Sequence, residues 1–141
     1  MDPAGHAAPS PRRADRSRLA LAAFMIVPGV LHFVVPRFYD DLIPSWVPGE
    51  PRGWTYASGV AELAAGVLVA NRRTSRLGAW VVVAVLIGVY PANIWDLVEH
   101  PPTDGRGLVS LLRLPLQIPM IWWALRHTKP ETVTDGVRPQ V

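Results

Sequence analysis

Four apolar blocks, residues 19–36, 54–71, 77–95 and 108–125, dominate this sequence, and the charged residues gather between them. Each block has close to the ~20 residues that carry a helix across the hydrocarbon core at about 1.5 Å per residue. A soluble amphipathic helix would instead spread its charges along one face at helical spacing. Here the 25 formal charges, 14 basic plus 11 acidic, cluster at the ends and in the connections. A hydrophobic content of 50% fits a small soluble domain or a membrane protein equally, so the distribution decides. The expected fold is all-α: a membrane-embedded antiparallel four-helix bundle, with an outer capping loop. The second and fourth blocks are the less apolar pair, because Glu62, Arg113 and Gln117 interrupt them.

The flanks carry no apolar periodicity. Residues 1–18 are rich in Pro, Ala and Arg and read as a disordered basic N-terminal tail, and residues 127–141 read as a flexible C-terminal tail. A basic segment before LALAAFMIVPGV also resembles the start of a signal peptide. The apolar run nevertheless continues through Leu31 to Val35 with no A-x-A site behind it, which argues against cleavage.

Lys and Arg set the expected orientation. Ten lie in the two tails, at Arg126 just before the second of them and in the 72–76 turn, against three (Arg37, Arg52, Arg106) in the other connections. By the positive-inside rule, both termini face the cytoplasm of a multi-pass protein of the cell membrane. Trp46, Trp54 and Trp95 then fall near the outer interface, and Trp80, Trp122 and Trp123 near the inner one, as an aromatic belt would. The first outer loop, residues 37–53, mixes amphipathic side chains with proline and is expected to lie on the membrane surface and cap the bundle.

The same placement of arginine argues against nucleic-acid binding, because the basic residues flank apolar blocks and do not form a face interleaved with aromatics. With no cysteine in the chain, disulfides, thiol relays and thiolate metal sites are excluded. His6, His100 and His127 show no metal-ligand spacing, and no phosphate loop or nucleophile motif is present.

Every block carries strongly polar residues: His32, Glu62, Asn93, and the pair Arg113 and Gln117. Counted from the outer ends at about 1.5 Å per residue, the first four fall within roughly 12 Å of the outer surface, with Gln117 a turn deeper. Pro28, His32 and Pro36 repeat every four residues, as do Ser58, Glu62 and Gly66, so each set forms one stripe. An ionisable group facing lipid at the helix centre costs about 2.5–3.5 kcal/mol, so these groups are expected to turn inward. A Glu62–Arg113 ion pair is expected, with His32, Asn93 and Gln117 completing its hydrogen bonds. Such a layer is either interhelical glue or a pocket for a small polar headgroup. Pro28, Pro91, Pro115 and Pro119 kink their helices, and Gly59, Gly66, Gly78 and Gly88 allow close helix approach.

The runs GVLHFVVPRFYDDLIPSWVP, YASGVAELAAGVLV, VYPANIWD and RLPLQIPMIWWA resemble the DoxX-like membrane proteins over about residues 27–125. The motifs H-F-x-x-P, W-V-P, S-G-x-x-E, P-A-N and L-Q-x-P occur in the expected order. The resemblance implies a four-helix membrane bundle whose polar motif residues match His32, Pro36, Trp46, Pro48, Ser58, Glu62, Pro91, Asn93, Arg113 and Gln117 here. Pro36, Trp46, Pro48, Ser58 and Pro91, with Tyr90 beside them, are expected to support the polar cluster. It also implies association with redox complexes, some relatives being small subunits of a thiosulfate:quinone oxidoreductase. Without cysteine, this chain departs from thiol-active relatives.

The leading expectation is an accessory, redox-associated subunit, not catalytic alone. It would bind a quinone-like or other small ligand in an outer-leaflet polar pocket and carry no intrinsic cofactor. Membrane lipid and an oxidoreductase subunit would be its partners. The alternative is an assembly or structural factor whose polar layer serves only packing. A small transporter is the third and least favoured reading, because four short helices leave little room for alternating access.

Overall fold

A computed structural model describes residues 11–103 and 105–129. All regular structure among them is helical: α1 (Pro11–Val34), α2 (Pro36–Asp40), α3 (Pro51–Ala70), α4 (Ser75–Glu99) and α5 (Gly105–Arg126). Three of these, α1, α4 and α5, are long and apolar enough to cross a membrane.

The boundaries follow local chemistry. Pro36 disfavours helical geometry at the residue before it, and Val35 accordingly sits at φ −127°, ψ 55°, which ends α1 and lets Pro36 open α2. The first apolar block was expected to run through Pro36, and this break shortens it. Gly49 takes a positive φ of 95°, and Pro51 then starts α3 in the position that needs no backbone donor. The 71–74 turn is closed by side chains: Asn71 Oδ1 accepts from the Arg73 amide at 3.0 Å, and the Thr74 hydroxyl donates to the Leu68 carbonyl at 2.8 Å.

Two expectations for the tails are corrected. Residues 11–18 are the first turns of α1, not tail, because they have partners far along the chain. Arg18 is buried and donates to the Val69 carbonyl at 2.9 Å and to the Ala70 carbonyl, while Asp15 pairs with Arg72. Beyond α5, the Thr128 hydroxyl donates to the Leu125 carbonyl at 2.8 Å and Thr128 is buried, so the chain stays packed through Thr128, while Lys129 is exposed. Residues 1–10 and 130–141 lie outside the described residues.

α3 packs against α1 on one side and α4 on the other, α5 packs on α4, and α2 folds onto α3. α1 and α5 are not among these close pairs. Near the start of α1 they are joined by a relay: Trp123 Nε1 donates to Ser17 Oγ at 2.8 Å, and Ser17 Oγ lies 3.0 Å from His127 Nε2. The apolar core lies toward that same end, where Leu21, Ala22 and Met25 of α1 meet Ala65 and Val69 of α3, Val82 and Val83 of α4, and Ala124 of α5. Contact between α1 and α3 depends on Gly59 and Gly66: a Cβ at Gly66 would stand 2.6 Å from Ile26 Cγ1, and one at Gly59 2.8 Å from His32 Cβ. Gly88, expected to serve packing as well, faces open space.

The outward surfaces of all four long helices are apolar. Val27, Val60, Val67, Leu77, Ile87, Leu111 and Ile118 are each more than a third exposed. A water-facing surface would not carry so continuous an apolar covering.

Candidate functional site

Toward the α2 end, a cavity of about 520 Å³ opens between the helices. It is lined by His32 of α1, Glu62 and Ser58 of α3, Asn93 of α4, and Arg113 and Gln117 of α5. The five polar side chains singled out from sequence therefore share one cavity. Most of the remaining wall is apolar, with Phe24, Leu86, Val89, Leu112, Leu116 and Met120 from the long helices and Leu42 and Ile43 from the segment after α2, and Tyr39 and Thr55 add two hydroxyls to it.

Contacts within the layer differ from the expected ion pair. Among the described residues no Glu62–Arg113 salt bridge forms; Glu62 lies beside His32 instead, with Oε2 3.4 Å from Nδ1. That contact is not a hydrogen bond, because His32 Nδ1 also lies 2.8 Å from the Pro28 carbonyl. A carbonyl can only accept, so the single Nδ1 proton points there. Glu62 Oε2 is thus buried without a hydrogen-bond partner among the described residues. Leaving such an oxygen unsatisfied costs about 1–3 kcal/mol.

On the opposite wall, Asn93 Nδ2 donates to Gln117 Oε1 at 3.0 Å, and Gln117 Nε2 donates to the Leu86 carbonyl. Gln117 is consequently buried with both ends of its amide engaged. Among the described residues Arg113 makes a single long contact, Nη1 to Asn93 Oδ1 at 3.5 Å, so this cavity-lining guanidinium keeps donors to spare.

Residues that sequence reasoning did not single out close the α2 end. Tyr39 stacks on the His32 imidazole, with ring centroids 3.6 Å apart. Burial, with the Glu62 carboxyl adding to it, pushes the Tyr39 phenol above its ordinary value of 10.0, so it remains a hydroxyl at neutral pH. One residue on, Asp40 receives the Arg52 guanidinium at 2.8–3.2 Å and the buried Thr55 hydroxyl at 2.7 Å, tying α2 to the first turns of α3. The Arg52 hydrogen bond, helped by that from Thr55, holds the Asp40 carboxyl below its ordinary value.

Of the residues expected to support the cluster, only Ser58 lines the cavity. Pro36 acts by starting α2, and the Pro48 carbonyl accepts from Trp54 Nε1 at 2.8 Å. Trp46 is exposed, and Tyr90 and Pro91 belong to α4 without lining the cavity.

A further polar group lies near the α2 end. Asp96, expected in a loop, is buried within α4; its Oδ1 lies 3.2 Å from His100 Nδ1, and its Oδ2 accepts from the Ser110 hydroxyl of α5. Among the described residues, no three His, Cys, Asp or Glu side chains are grouped to hold a metal.

An all-helical chain with three helices of membrane-spanning length and a cavity with a polar layer is the class of protein that fold and site define. Residues 21–128 match the family described as a domain of unknown function, DUF8561, and the chain belongs to that family. Comparison with curated proteins and with solved structures gives no match.

Proposed function

We propose that this chain is a four-helix membrane protein that binds a small amphiphilic ligand, quinone-like in build, in the cavity between α1 and α5. In this reading it serves as an accessory subunit to a redox partner that supplies the catalytic centre. The carrying observation is the convergence of His32, Glu62, Asn93, Arg113 and Gln117 from four helices on one mainly apolar cavity of about 520 Å³. An apolar wall with a few convergent polar groups is the usual build of a small-molecule site. The resemblance to DoxX-like proteins supports the redox association.

In this reading α3 is the fourth span, and the exposed Val60 and Val67 on it support lipid contact. Arg18 beside the end of α3, with His32 beside its middle, supports an antiparallel α1–α3 pair; Asp96 beside Ser110 and Asn93 beside Gln117 support the same for α4 and α5. The arginines of the 72–76 turn and of the α1 start favour a cytoplasmic location for that end and for both termini. The cavity then opens toward the outer leaflet.

Decyl-benzoquinone, offered in its oxidised and reduced forms, tests the pocket. At least one form should raise the thermal midpoint of the detergent-solubilised wild type and leave Arg113→Leu unmoved. Equal shifts in the two proteins would remove the cavity from the account. Copurification of an oxidoreductase with the tagged chain tests the partner.

A second reading, a structural or assembly factor without a ligand, is favoured by the buried Gln117 amide, which bonds to α4 through both its oxygen and its nitrogen and so ties α4 to α5 as interhelical glue would. It predicts that losses of function in cavity variants are rescued by restoring expression.

A further inference from the structure

The cavity wall has a chemical asymmetry that bears on which ligands it takes. On the α5 side it offers donors, because among the described residues Arg113 makes only the 3.5 Å contact to Asn93. On the α3 side it offers an acceptor, because Glu62 Oε2 is buried and no donor among the described residues reaches it. The neighbouring imidazole cannot serve, since its Nδ1 proton is directed to the Pro28 carbonyl at 2.8 Å. Asn93 Nδ2 donates to Gln117 and Gln117 Nε2 to Leu86, and neither their second N–H groups nor the Ser58, Thr55 and Tyr39 hydroxyls of the wall reach Glu62 Oε2. A ligand whose polar end only accepts hydrogen bonds would satisfy Arg113 and leave the Glu62 oxygen as it is. A ligand that also carries an O–H would satisfy both, and a site built around a buried acceptor discriminates strongly against an analogue lacking the donor.

We infer that Glu62 is the specificity residue of the cavity, accepting a hydrogen bond from a hydroxyl on the ligand, so that the site selects phenol-like amphiphiles over isosteres without the O–H. The inference rests on the pocket reading above and deepens it. For a ligand that interconverts between carbonyl and hydroxyl forms, the reduced, hydroxyl-bearing form is the one the site holds. The apolar wall from Phe24 to Met120 receives the alkyl body, and Leu42 and Ile43 cover the polar end.

The test uses two probes differing by one donor, 4-octylphenol and its methyl ether 4-octylanisole, with the full chain in lipid nanodiscs and partitioning into empty nanodiscs subtracted. Wild type should bind the phenol at least about tenfold more tightly than the ether, a discrimination typical of a buried polar partner left unpaired. Glu62→Leu should abolish that preference while retaining the ether. Glu62→Gln, which keeps an acceptor oxygen in place, should retain part of the preference, so the claim stays testable if the leucine variant does not fold. Equal affinity of wild type for both probes would overturn the inference and leave the pocket standing. Binding of neither would overturn the pocket and the inference together.

Discussion

Tyr39 lies almost flat on His32, their ring centroids 3.6 Å apart and their planes 25° from parallel. The stack joins the short α2 helix to α1 across the helix break at Val35, and so covers the polar layer at the α2 end. Stacked rings of this kind contribute about 0.5–1.5 kcal/mol beyond the area they bury. Tyr39→Ala should therefore lower stability in detergent by at least that amount and speed ligand exchange. Tyr39→Phe, which keeps the ring, should stay near wild type in unfolding measurements.

The Asn93–Gln117 hydrogen bond ties α4 to α5 at the cavity floor. In a double-mutant cycle of Asn93→Leu and Gln117→Leu, the coupling energy should fall at about 0.6–2 kcal/mol, the range for interhelical hydrogen bonds among membrane helices. A coupling indistinguishable from zero would show that the two amides do not act as a pair.

Gly66 lets α1 lie directly on α3, with a Cβ there only 2.6 Å from Ile26 Cγ1 and 3.0 Å from the Ala22 carbonyl. Gly66→Val should force the helices apart and cost about 1–3 kcal/mol, read as a lower thermal midpoint. Gly88→Ala, at a site with nothing within 4 Å, should be neutral or slightly stabilising.

Two groups outside the apolar spans set the response to pH. His127 is held below its ordinary 6.5, chiefly by burial and then by the charge of Arg18. The unfolded chain therefore takes up this proton more readily, and the stability due to neutral His127 is present above pH 6.5 and lost as the pH falls through the lower folded value. The relay explains the preference: Ser17 Oγ accepts from Trp123 and can donate its own proton only to an unprotonated His127 Nε2. His127→Gln should flatten the stability profile below pH 6.5. Asp40 works lower on the scale, since its folded value lies below 3.8 and the clamp to Arg52 is lost only as the pH falls through that value. Asp40→Asn should remove this second, acidic fall in thermal midpoint.

The positions of the long helices were legible because apolar run length is a one-dimensional signal; α3, α4 and α5 each begin within three residues of the expected blocks. The cavity residues were legible by a depth argument: counting residues from the ends of the blocks placed His32, Glu62, Asn93 and Arg113 in a common layer. The partner of Glu62 was not, because hydropathy fixes depth but not the rotation of each helix about its axis. That rotation puts Glu62 against His32 and turns Arg113 toward Asn93. Residues 11–18 were misread for a related reason: what makes them helical lies more than fifty residues away, at the Val69 and Ala70 carbonyls and Arg72. Asp96 closes an apolar block and so resembled a loop residue, although its Asp96–His100 spacing of four was the one visible sign of the buried pairing.

Photolabelling tests the central claim most directly: an alkylphenol carrying a diazirine on its chain, activated in nanodiscs holding the full chain, reports where an amphiphile resides. The account predicts labels on the inner wall, at Phe24, Leu86 and Met120, lost when excess 4-octylphenol is added. Labels confined to the outward-facing Val60, Val67 and Ile118, and unaffected by the competitor, would contradict it.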